Sequence, residues 1–240
     1  MSGEIEHQLF GALQAKDSSA VAVLTAGLPI VLRDAFAALP LGACALADVA
    51  SGPAPALYVL TAPEVDMPGG ANAAAQLVVE EFSAPAAIDT ARVVYKSSPN
   101  SIAYYAGARW ADRAPRMIAA LAVETLSDTG RFPAVTGPGA PVRTDLALSG
   151  DIRAFEAYRA SGAGFGESAT SIRVSLFVRL VRLRDRSIVA SREFTAEAKA
   201  GSGMDGVVAG YDAALDEVLT ALALWTFEQS LAAMQEKAGS

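Results

Sequence analysis

Histidine and cysteine are almost absent from this chain: its 240 residues include one histidine, His7, and one cysteine, Cys44. Nucleophilic catalysis of the Ser-His-Asp or Cys-His kind needs an imidazole beside the nucleophile, and zinc sites usually need several His or Cys ligands. A single cysteine also excludes an internal disulfide framework. These absences favour a binding protein without a metal or other cofactor over an enzyme, although catalysis by carboxylates alone stays open.

An excess of positive charge and long apolar runs are missing as well. The sequence has 19 Lys and Arg residues against 26 Asp and Glu residues, which gives a net charge of −7. Because non-specific nucleic-acid binding relies on basic side chains that neutralise phosphates, nucleic acid is not an expected partner. The apolar stretches 20–32 and 35–46 are shorter than the ~18 residues that a membrane-spanning helix needs. With 52% hydrophobic residues, the chain has ample material for the core of one domain.

Cys44 lies in a context that resembles a bacterial lipoprotein signal. It directly follows Leu-Gly-Ala and comes after an apolar segment. We therefore predict a leader over residues 1–44, lipidation of Cys44, a tether over 45–56 and a single domain over 57–235. The first 17 residues are mixed and slightly acidic, whereas signal segments usually begin with positive charge. Burial of Cys44 as a small hydrophobic residue is the alternative interpretation.

Two segments of the predicted domain have the apolar periodicity of helices. The first spans residues 112–127, where Asp112 can cap the first turn, Pro115 falls inside that turn and Gly130 ends the helix. The second spans residues 204–229, where apolar side chains recur at steps of three and four. Such a stripe predicts a helix packed on a sheet, and the alternative is a contact between copies of the protein.

Seven segments have strand character, and several alternate between apolar and polar residues. They are 57–61, 76–82, 91–96, 101–106, 145–158, 172–182 and 188–198. The last two are predicted to form a hairpin, and Gly150 is a predicted bulge in the long strand before them. The pattern predicts an α/β fold with a mixed or mostly antiparallel sheet and two principal helices.

Two motifs have simpler interpretations than ligand binding. Residues 162–166 read Gly-Ala-Gly-Phe-Gly but lack the spacing of a phosphate-binding loop, so we interpret them as a hairpin loop. Five arginines between Arg173 and Arg186 lie among acidic residues of the same predicted sheet. This arrangement favours a solvent-exposed face of cross-strand ion pairs over an anion site.

A crowded strand-to-helix junction provides the candidate partner-binding residues: Tyr104, Tyr105, Trp110 and Arg113. Tyr, Trp and Arg are the residue types enriched in the energetic centres of protein interfaces. The alternative is structural, because a buried Trp and an Arg–Asp pair can simply fix the junction.

Several motifs in order resemble the ABC-type transport auxiliary lipoproteins, which include the paraquat-inducible protein C group. They are Leu-Tyr-Val-Leu-Thr at 57–61, Ala-Ile-Asp-Thr-Ala-Arg-Val at 87–93, the run from Tyr104 to Pro115, Ser-Ile-Val-Ala-Ser-Arg-Glu-Phe at 187–194 and a terminal helix that contains Trp. The resemblance covers about residues 44–227.

The resemblance implies a fold and a role. The fold is a sandwich of a mixed, largely antiparallel sheet with two principal helices, like an anticodon-binding domain. The role is that of a periplasmic lipoprotein beside an ABC transporter with mammalian-cell-entry (MCE) domain subunits, which moves phospholipids or other hydrophobic molecules between the inner and outer membranes. The chain has no Walker motif and so is not the ATPase. Because Ala45 and not Asp follows Cys44, the family's sorting rule implies an outer-membrane anchor.

Two functions of different class fit this resemblance. The first is a docking subunit that binds an MCE-domain protein, ABC transporter subunits or a further copy of itself. The second is a periplasmic lipid-binding carrier with its own apolar cavity. A cavity between the sheet and the long helix would favour the carrier, whereas a filled core would favour docking.

Overall fold

The computed structural model describes residues 54–67, 69–159 and 170–238, and the chain from Pro55 onward forms one compact unit. Cys44, the predicted leader and the glycine-rich stretch 162–166 lie outside the described residues. Within the described ranges, no helix is both long enough and apolar enough to cross a membrane.

In this part of the chain, eight strands form one sheet and two long helices accompany it. The strands are β1 (Ala56–Tyr58), β2 (Leu77–Val79), β3 (Arg92–Ser98), β4 (Ser101–Trp110), β5 (Val135–Thr136), β6 (Leu146–Arg159), β7 (Thr170–Arg182) and β8 (Ser187–Lys199). The helices are α1 (Ala114–Asp128) and α2 (Gly203–Ala238). The predicted α/β class with two principal helices is confirmed.

Strand β6 lies at the centre of the sheet. One of its edges pairs antiparallel with β7 from Leu146, opposite Arg182, to Arg159, opposite Thr170. Its other edge is shared by β2 near its start and β3 near its end, and both of these pairings are parallel. β5 continues the sheet beside β2, β4 and β1 continue it beside β3, and β8 continues it beside β7. The sheet is therefore mixed, and its long ladders are antiparallel.

Helix α2 packs on the apolar face of the β7–β8 hairpin. Buried side chains alternate along β7 and recur every three or four residues along α2. On β7 they are Ile172, Val174, Leu176, Val178 and Leu180. On α2 they include Tyr211, Leu215, Val218, Leu222 and Trp225. The hairpin and the helical stripe predicted from the sequence are both confirmed.

Three aromatic rings join β4, β6 and α2. The centroid of Tyr211 lies 4.7 Å from that of Phe155 and 5.1 Å from that of Trp110, and all three side chains are at most 1% exposed. The Tyr211 hydroxyl donates a hydrogen bond of 2.8 Å to the carbonyl of Val94 on β3. Burial raises the pKa of Tyr211 well above its ordinary value, so this hydroxyl stays a donor at all physiological pH values. The cluster fixes α2 to three neighbouring strands.

The opposite face of the hairpin carries ion pairs. Arg173 pairs with Glu197 at 2.7 Å, and Arg179 pairs with Asp151 at 2.8 Å. The hydrogen bond from Ser83, followed by that from Arg179, holds the pKa of Asp151 below its usual range. The prediction that this face carries ion pairs between strands is confirmed for these residues. The arginines of the turn between β7 and β8 are arranged differently and are described below.

The start of α1 differs from its sequence prediction. Arg113, and not Asp112, occupies the N-cap position, and the Asp112 carboxylate accepts a hydrogen bond of 2.7 Å from the backbone N–H of Arg113. Pro115 lies in the first turn, where a missing N–H leaves no hydrogen bond unmade. Gly130 follows the helix with φ of +61°, a conformation that glycine adopts without strain.

Long-range contacts explain the observed bounds of β1 and β4, whereas a local property of the sequence explains the greater length of α2. β1 ends at Tyr58, and beyond it the chain is held by α2 instead of by a neighbouring strand. The Asp212 carboxylate on α2 accepts hydrogen bonds from the N–H of Thr61 at 2.8 Å and from its hydroxyl at 2.9 Å. β4 extends to Trp110 because β1 pairs with its last three residues. α2 extends to Ala238 because no glycine or proline interrupts residues 229–238.

Gly150 was predicted as a bulge, and this prediction is wrong. Gly150 pairs regularly with Val178, and the irregularity of β6 falls between Ile152 and Ala154. A Cβ atom on residue 150 would lie 3.1 Å from the carbonyl oxygen of Phe177 and 3.1 Å from the ring of Phe82. Glycine is used here because neighbouring groups approach the backbone closely.

We expect Tyr211→Phe to lower the free energy of unfolding by about 1 kcal/mol, because it removes a buried hydrogen bond to the Val94 carbonyl. Chemical denaturation measures the change. Tyr58→Phe is the matched control, because the Tyr58 hydroxyl contacts Asp205 at 3.3 Å in an exposed position. Equal effects of the two substitutions would contradict the role given to Tyr211.

Candidate functional site

The junction between β4 and α1 is held by the segment that precedes β3. Trp110 donates its backbone N–H to the carbonyl of Ala91 at 2.7 Å, and Ala114 donates to the carbonyl of Thr90 at 3.2 Å. These bonds satisfy backbone groups at the point where the strand ladder ends and the helix has not yet begun. The side chains at the junction are therefore presented from a fixed backbone.

Arg113 is the charged centre of this junction. Its Nε donates to the Oδ1 atom of Asp89 at 2.7 Å, Nη2 contacts the same oxygen, and Nη1 lies 3.2 Å from Oε1 of Glu81. The hydrogen bond to Asp89 raises the pKa of Arg113, so the guanidinium stays charged. The Arg113 side chain is 48% exposed, and ion pairs this exposed contribute ~0–1 kcal/mol to stability. It remains accessible to a partner.

The two candidate tyrosines lie on β4 and, as neighbours in a strand, project to opposite faces. The Tyr104 hydroxyl donates to the carbonyl of Ala87 at 3.2 Å, and the guanidinium of Arg92 lies 3.5 Å from the centre of its ring. The Tyr105 ring lies 5.6 Å from the ring of Tyr95, and burial raises its pKa. Both tyrosines are half-buried, which leaves part of each ring open to solvent.

Trp110 belongs to the core and is not part of an exposed surface. Its side chain is 1% exposed and packs against Phe155 and Tyr211. The indole Nε1 has no hydrogen-bond partner among the described residues. At this position the structural interpretation is correct, and the sequence-predicted surface is reduced to Tyr104, Tyr105 and Arg113.

A groove lies beside the junction along α1. It has a volume of about 370 Å³ and is lined by Glu81, Arg116 and the α1 residues Ala119, Ala120 and Val123, with the loop at Gly137 and Pro138 opposite. Glu81 also faces Arg113, so the groove and the charged centre share one side chain. A charged rim next to small apolar residues suits recognition of a protein segment.

Sequence reasoning missed the partners of Arg113 and Tyr104. Glu81 and Asp89 lie 32 and 24 residues before Arg113, and the sequence has no periodicity that connects them. Asp89 and Arg92 do lie in the motif at 87–93 on which the family resemblance partly rests. That motif is the signal that could have identified them.

The space between the sheet and α2 is filled by side chains. The aromatic cluster of Trp110, Phe155 and Tyr211 occupies the end of the interface near β4. Phe194 and Trp225 pack edge to face, with ring centroids 5.7 Å apart, in the part that β8 covers. Close packing of this kind leaves no room for an acyl chain between these residues.

The side chains at the junction are of types that can bind a partner. Among the described residues, no group of three or more His, Cys, Asp or Glu side chains is placed to hold a metal ion. The carboxylates of Glu81 and Asp89 are engaged by Arg113. The arrangement offers a fixed guanidinium, two partly exposed tyrosine rings and a small groove.

The match to a known family covers most of the described chain. Residues 58–223 match the family described as the ABC-type transport auxiliary lipoprotein component. This chain belongs to that family. Membership makes it an accessory component of ABC-type transport and, as a lipoprotein, a membrane-anchored protein of the periplasm.

Solved structures show the fold of this auxiliary lipoprotein in related chains. A crystal structure of a DUF330-family protein from Xanthomonas campestris is similar with a TM-score of 0.67 and 29% identity, over 75% of this chain and 99% of that one. An uncharacterised protein is similar with a TM-score of 0.54 and 16% identity, over 71% of this chain and 97% of that one. The second likeness concerns the fold alone.

A short stretch of the auxiliary lipoprotein is similar to part of the regulatory subunit of an enzyme. Thirty-five residues are 83% identical to the ATP phosphoribosyltransferase regulatory subunit of Thiobacillus denitrificans. They make up 15% of this chain and 11% of that protein. A match over so small a part of both proteins does not indicate a shared activity.

Acidic residues of α2 hold the segment that enters the domain. Asp212 binds the backbone and hydroxyl of Thr61, and Asp205 accepts a hydrogen bond from Tyr58. Asp216 lies one turn after Asp212, and its Oδ1 atom is buried without a partner among the described residues. Burial, followed by the charge of Asp212, raises the pKa of Asp216.

We expect Asp216→Asn to stabilise the auxiliary lipoprotein at neutral pH by about 1 kcal/mol, because it removes the charge of a carboxylate whose Oδ1 atom is buried without a hydrogen bond among the described residues. A carboxyl whose pKa is raised on folding destabilises the folded protein at pH values above its folded pKa. Below the unfolded pKa of 3.8 the carboxyl is protonated in both states and has no such effect. The gain should therefore vanish as the pH falls through this range. Thermal unfolding from pH 3 to pH 7 measures it, because a change of about 1 kcal/mol shifts the midpoint by about 2–4 °C in a domain of this size. A gain independent of pH would contradict the prediction.

Proposed function

We propose that this protein is the periplasmic accessory lipoprotein of an ABC transport system with MCE-domain subunits. It assists the movement of phospholipids or other hydrophobic molecules between the inner and outer membranes. It acts by docking to the MCE-domain protein and the transporter and has no catalytic activity of its own. The family match over residues 58–223 carries the proposal.

The filled core supports docking over lipid carriage. A carrier must enclose at least part of an acyl chain, and the space between the sheet and α2 is occupied by rings such as those of Phe155, Tyr211 and Trp225. The groove described above lies at the surface and has a charged rim. Function at the surface is the arrangement that these observations favour.

The docking surface that we propose is centred on Arg113 and Tyr104, with the groove along α1 beside it. Tyr105, which projects from the opposite face of β4, is proposed as a second contact. Arg113 is charged and accessible, and its neighbours fix its position. The side chains project from backbone that hydrogen bonds hold in place, so a partner orders few groups on binding. Association with further copies of the protein is proposed at the outer edge of β8, where no other strand pairs within the described residues.

The anchor that we propose is a lipid on Cys44, with residues 1–44 as leader, 45–56 as tether and 57–235 as the domain. Ala45 in place of Asp supports sorting to the outer membrane by the family's rule. A single acyl chain binds membranes weakly, so a stable anchor requires more than one chain.

We expect Arg113→Ala to weaken capture of the MCE-domain subunit by about thirtyfold, as removal of an interface hot spot costs ~2 kcal/mol. Its thermal midpoint should stay nearly unchanged, because the ion pairs of Arg113 are exposed. The measurement is a pull-down titration with the purified subunit. Arg153→Ala is the control, since Arg153 is 49% exposed, pairs with a carboxylate of Glu193 and does not line the groove. Unaltered capture by Tyr104→Ala, Tyr105→Ala and Arg113→Ala alike would exclude this surface.

We expect protein from the membrane fraction of a Gram-negative cell to begin at a lipid-modified Cys44. Mass spectrometry of the N-terminal peptide identifies the modification, and Cys44→Ser should release the protein into the soluble periplasmic fraction. Recovery of an intact peptide from Met1 in soluble cytosolic protein would contradict the proposed anchor.

A further inference from the structure

One end of the sheet is rich in arginine although the chain as a whole is acidic. We define this basic end as the turn between β7 and β8 together with the segment that leads into β6. Its arginines are Arg143, Arg182, Arg184 and Arg186, and its acidic residues are Asp145 and Asp185. Within the described chain this end carries a local excess of positive charge, whereas the whole chain has a net charge of −7.

Both acidic residues of the basic end already accept hydrogen bonds from groups of the folded chain. The Asp145 carboxylate accepts a hydrogen bond of 3.0 Å from the backbone of Gln76. The Asp185 carboxylate accepts bonds from the backbone N–H and the hydroxyl of Ser187, and these bonds lower its pKa. Arg182 and Arg184 reach the Asp185 carboxylate only at 3.7 and 3.8 Å. The charges of Arg143, Arg184 and Arg186 are therefore not cancelled by tight ion pairs within the described residues.

Two arginines of the basic end are available for a ligand. Within the described part of the chain, neither Arg143 nor Arg186 forms an ion pair, and both are exposed. Arg186 is held at the end of the turn with φ of +58°. The arginines of the sheet face differ, because Arg173 and Arg179 each contact a carboxylate at 2.7–2.8 Å.

A pocket and exposed apolar side chains accompany these charges. The pocket has a volume of about 420 Å³ and is lined by Arg143, Arg182, Arg184, Leu183 and Met234, among others. The apolar side chains at this end are Val142, which is 47% exposed, Leu183 at 37% and Ile188 at 60%. They make up half of the large hydrophobic residues that are exposed in the described ranges.

We infer that the basic end binds the surface of an anionic phospholipid bilayer. Guanidinium groups bind phosphate through paired N–H donors, and the pocket between Arg143 and Arg184 has room for a lipid headgroup. Exposed apolar side chains beside cationic ones are the combination by which proteins enter the interface of a membrane. Leu183 lies in a turn whose four residues are all exposed, and an exposed apolar side chain beside arginines suits a lipid surface better than an acidic peptide. This contact is separate from the lipid on Cys44 and from the partner surface at Arg113.

Vesicle co-sedimentation of the Cys44→Ser protein tests the inference without any contribution from an acyl anchor. We expect binding to phosphatidylglycerol-rich vesicles, little binding to phosphatidylcholine vesicles, and weakening as salt is raised. The combined change Arg143→Gln, Arg184→Gln and Arg186→Gln should reduce binding on the order of a hundredfold, because each basic residue near an anionic surface contributes about fivefold. Arg182 is left unchanged because its side chain is largely covered and its Nη1 lies 3.4 Å from the Ser187 hydroxyl.

A charge-matched control separates local binding from net charge. The combined change Arg109→Gln, Arg116→Gln and Arg192→Gln alters the net charge equally at exposed positions outside the basic end, and it should retain most of the binding. Leu183→Gln with Ile188→Gln should weaken binding without a change of charge. Equal binding to both kinds of vesicle, equal losses in the two arginine variants, or binding of polyglutamate in place of vesicles would overturn the inference. Unchanged thermal midpoints of all variants show that loss of binding is not loss of fold.

Discussion

The contact of Tyr211 with Trp110 and Phe155 is the interaction on which the rest of the structure depends. It joins α2 to β4 and β6, and the Tyr211 hydroxyl adds a bond to β3. Aromatic pairs of this geometry contribute ~0.5–1.5 kcal/mol each beyond the burial of their area. Because β6 also pairs with β2, β3 and β7, fixing α2 here fixes the whole sheet beneath it. The same rings fill the interior between α2 and these strands, which supports our proposal that the chain acts through its surface.

The surface is divided into regions with different chemistry. The outer face of the β7–β8 hairpin is neutralised by ion pairs such as Arg173 with Glu197. The junction before α1 presents Arg113 in a fixed position, and the basic end around Arg186 keeps charge that the fold does not cancel. This distribution of charge is the basis of the two contacts that we propose, one with a partner protein and one with a membrane.

Local patterns in the sequence predicted most of the fold but not its long-range contacts. Alternation along β7 and the apolar steps of α2 depend on neighbouring residues alone, and both were predicted correctly. The extension of β4 to Trp110 depends on β1, some 50 residues earlier, and the partners Glu81 and Asp89 of Arg113 depend on the folded topology. The same limit applies to Trp110, because residue type alone does not distinguish an aromatic residue of an interface from one of the core.

The most direct test of the account is to purify the Cys44→Ser protein from the periplasm without detergent and to extract its phospholipid. The result shows whether the core is filled by side chains, as docking requires, or holds a lipid. The packing of Phe155, Trp225 and Tyr211 predicts far less than one phospholipid per chain, because these described side chains leave no room between them to shield an acyl chain from water. Stoichiometric phospholipid in the purified protein would contradict this and would favour a carrier.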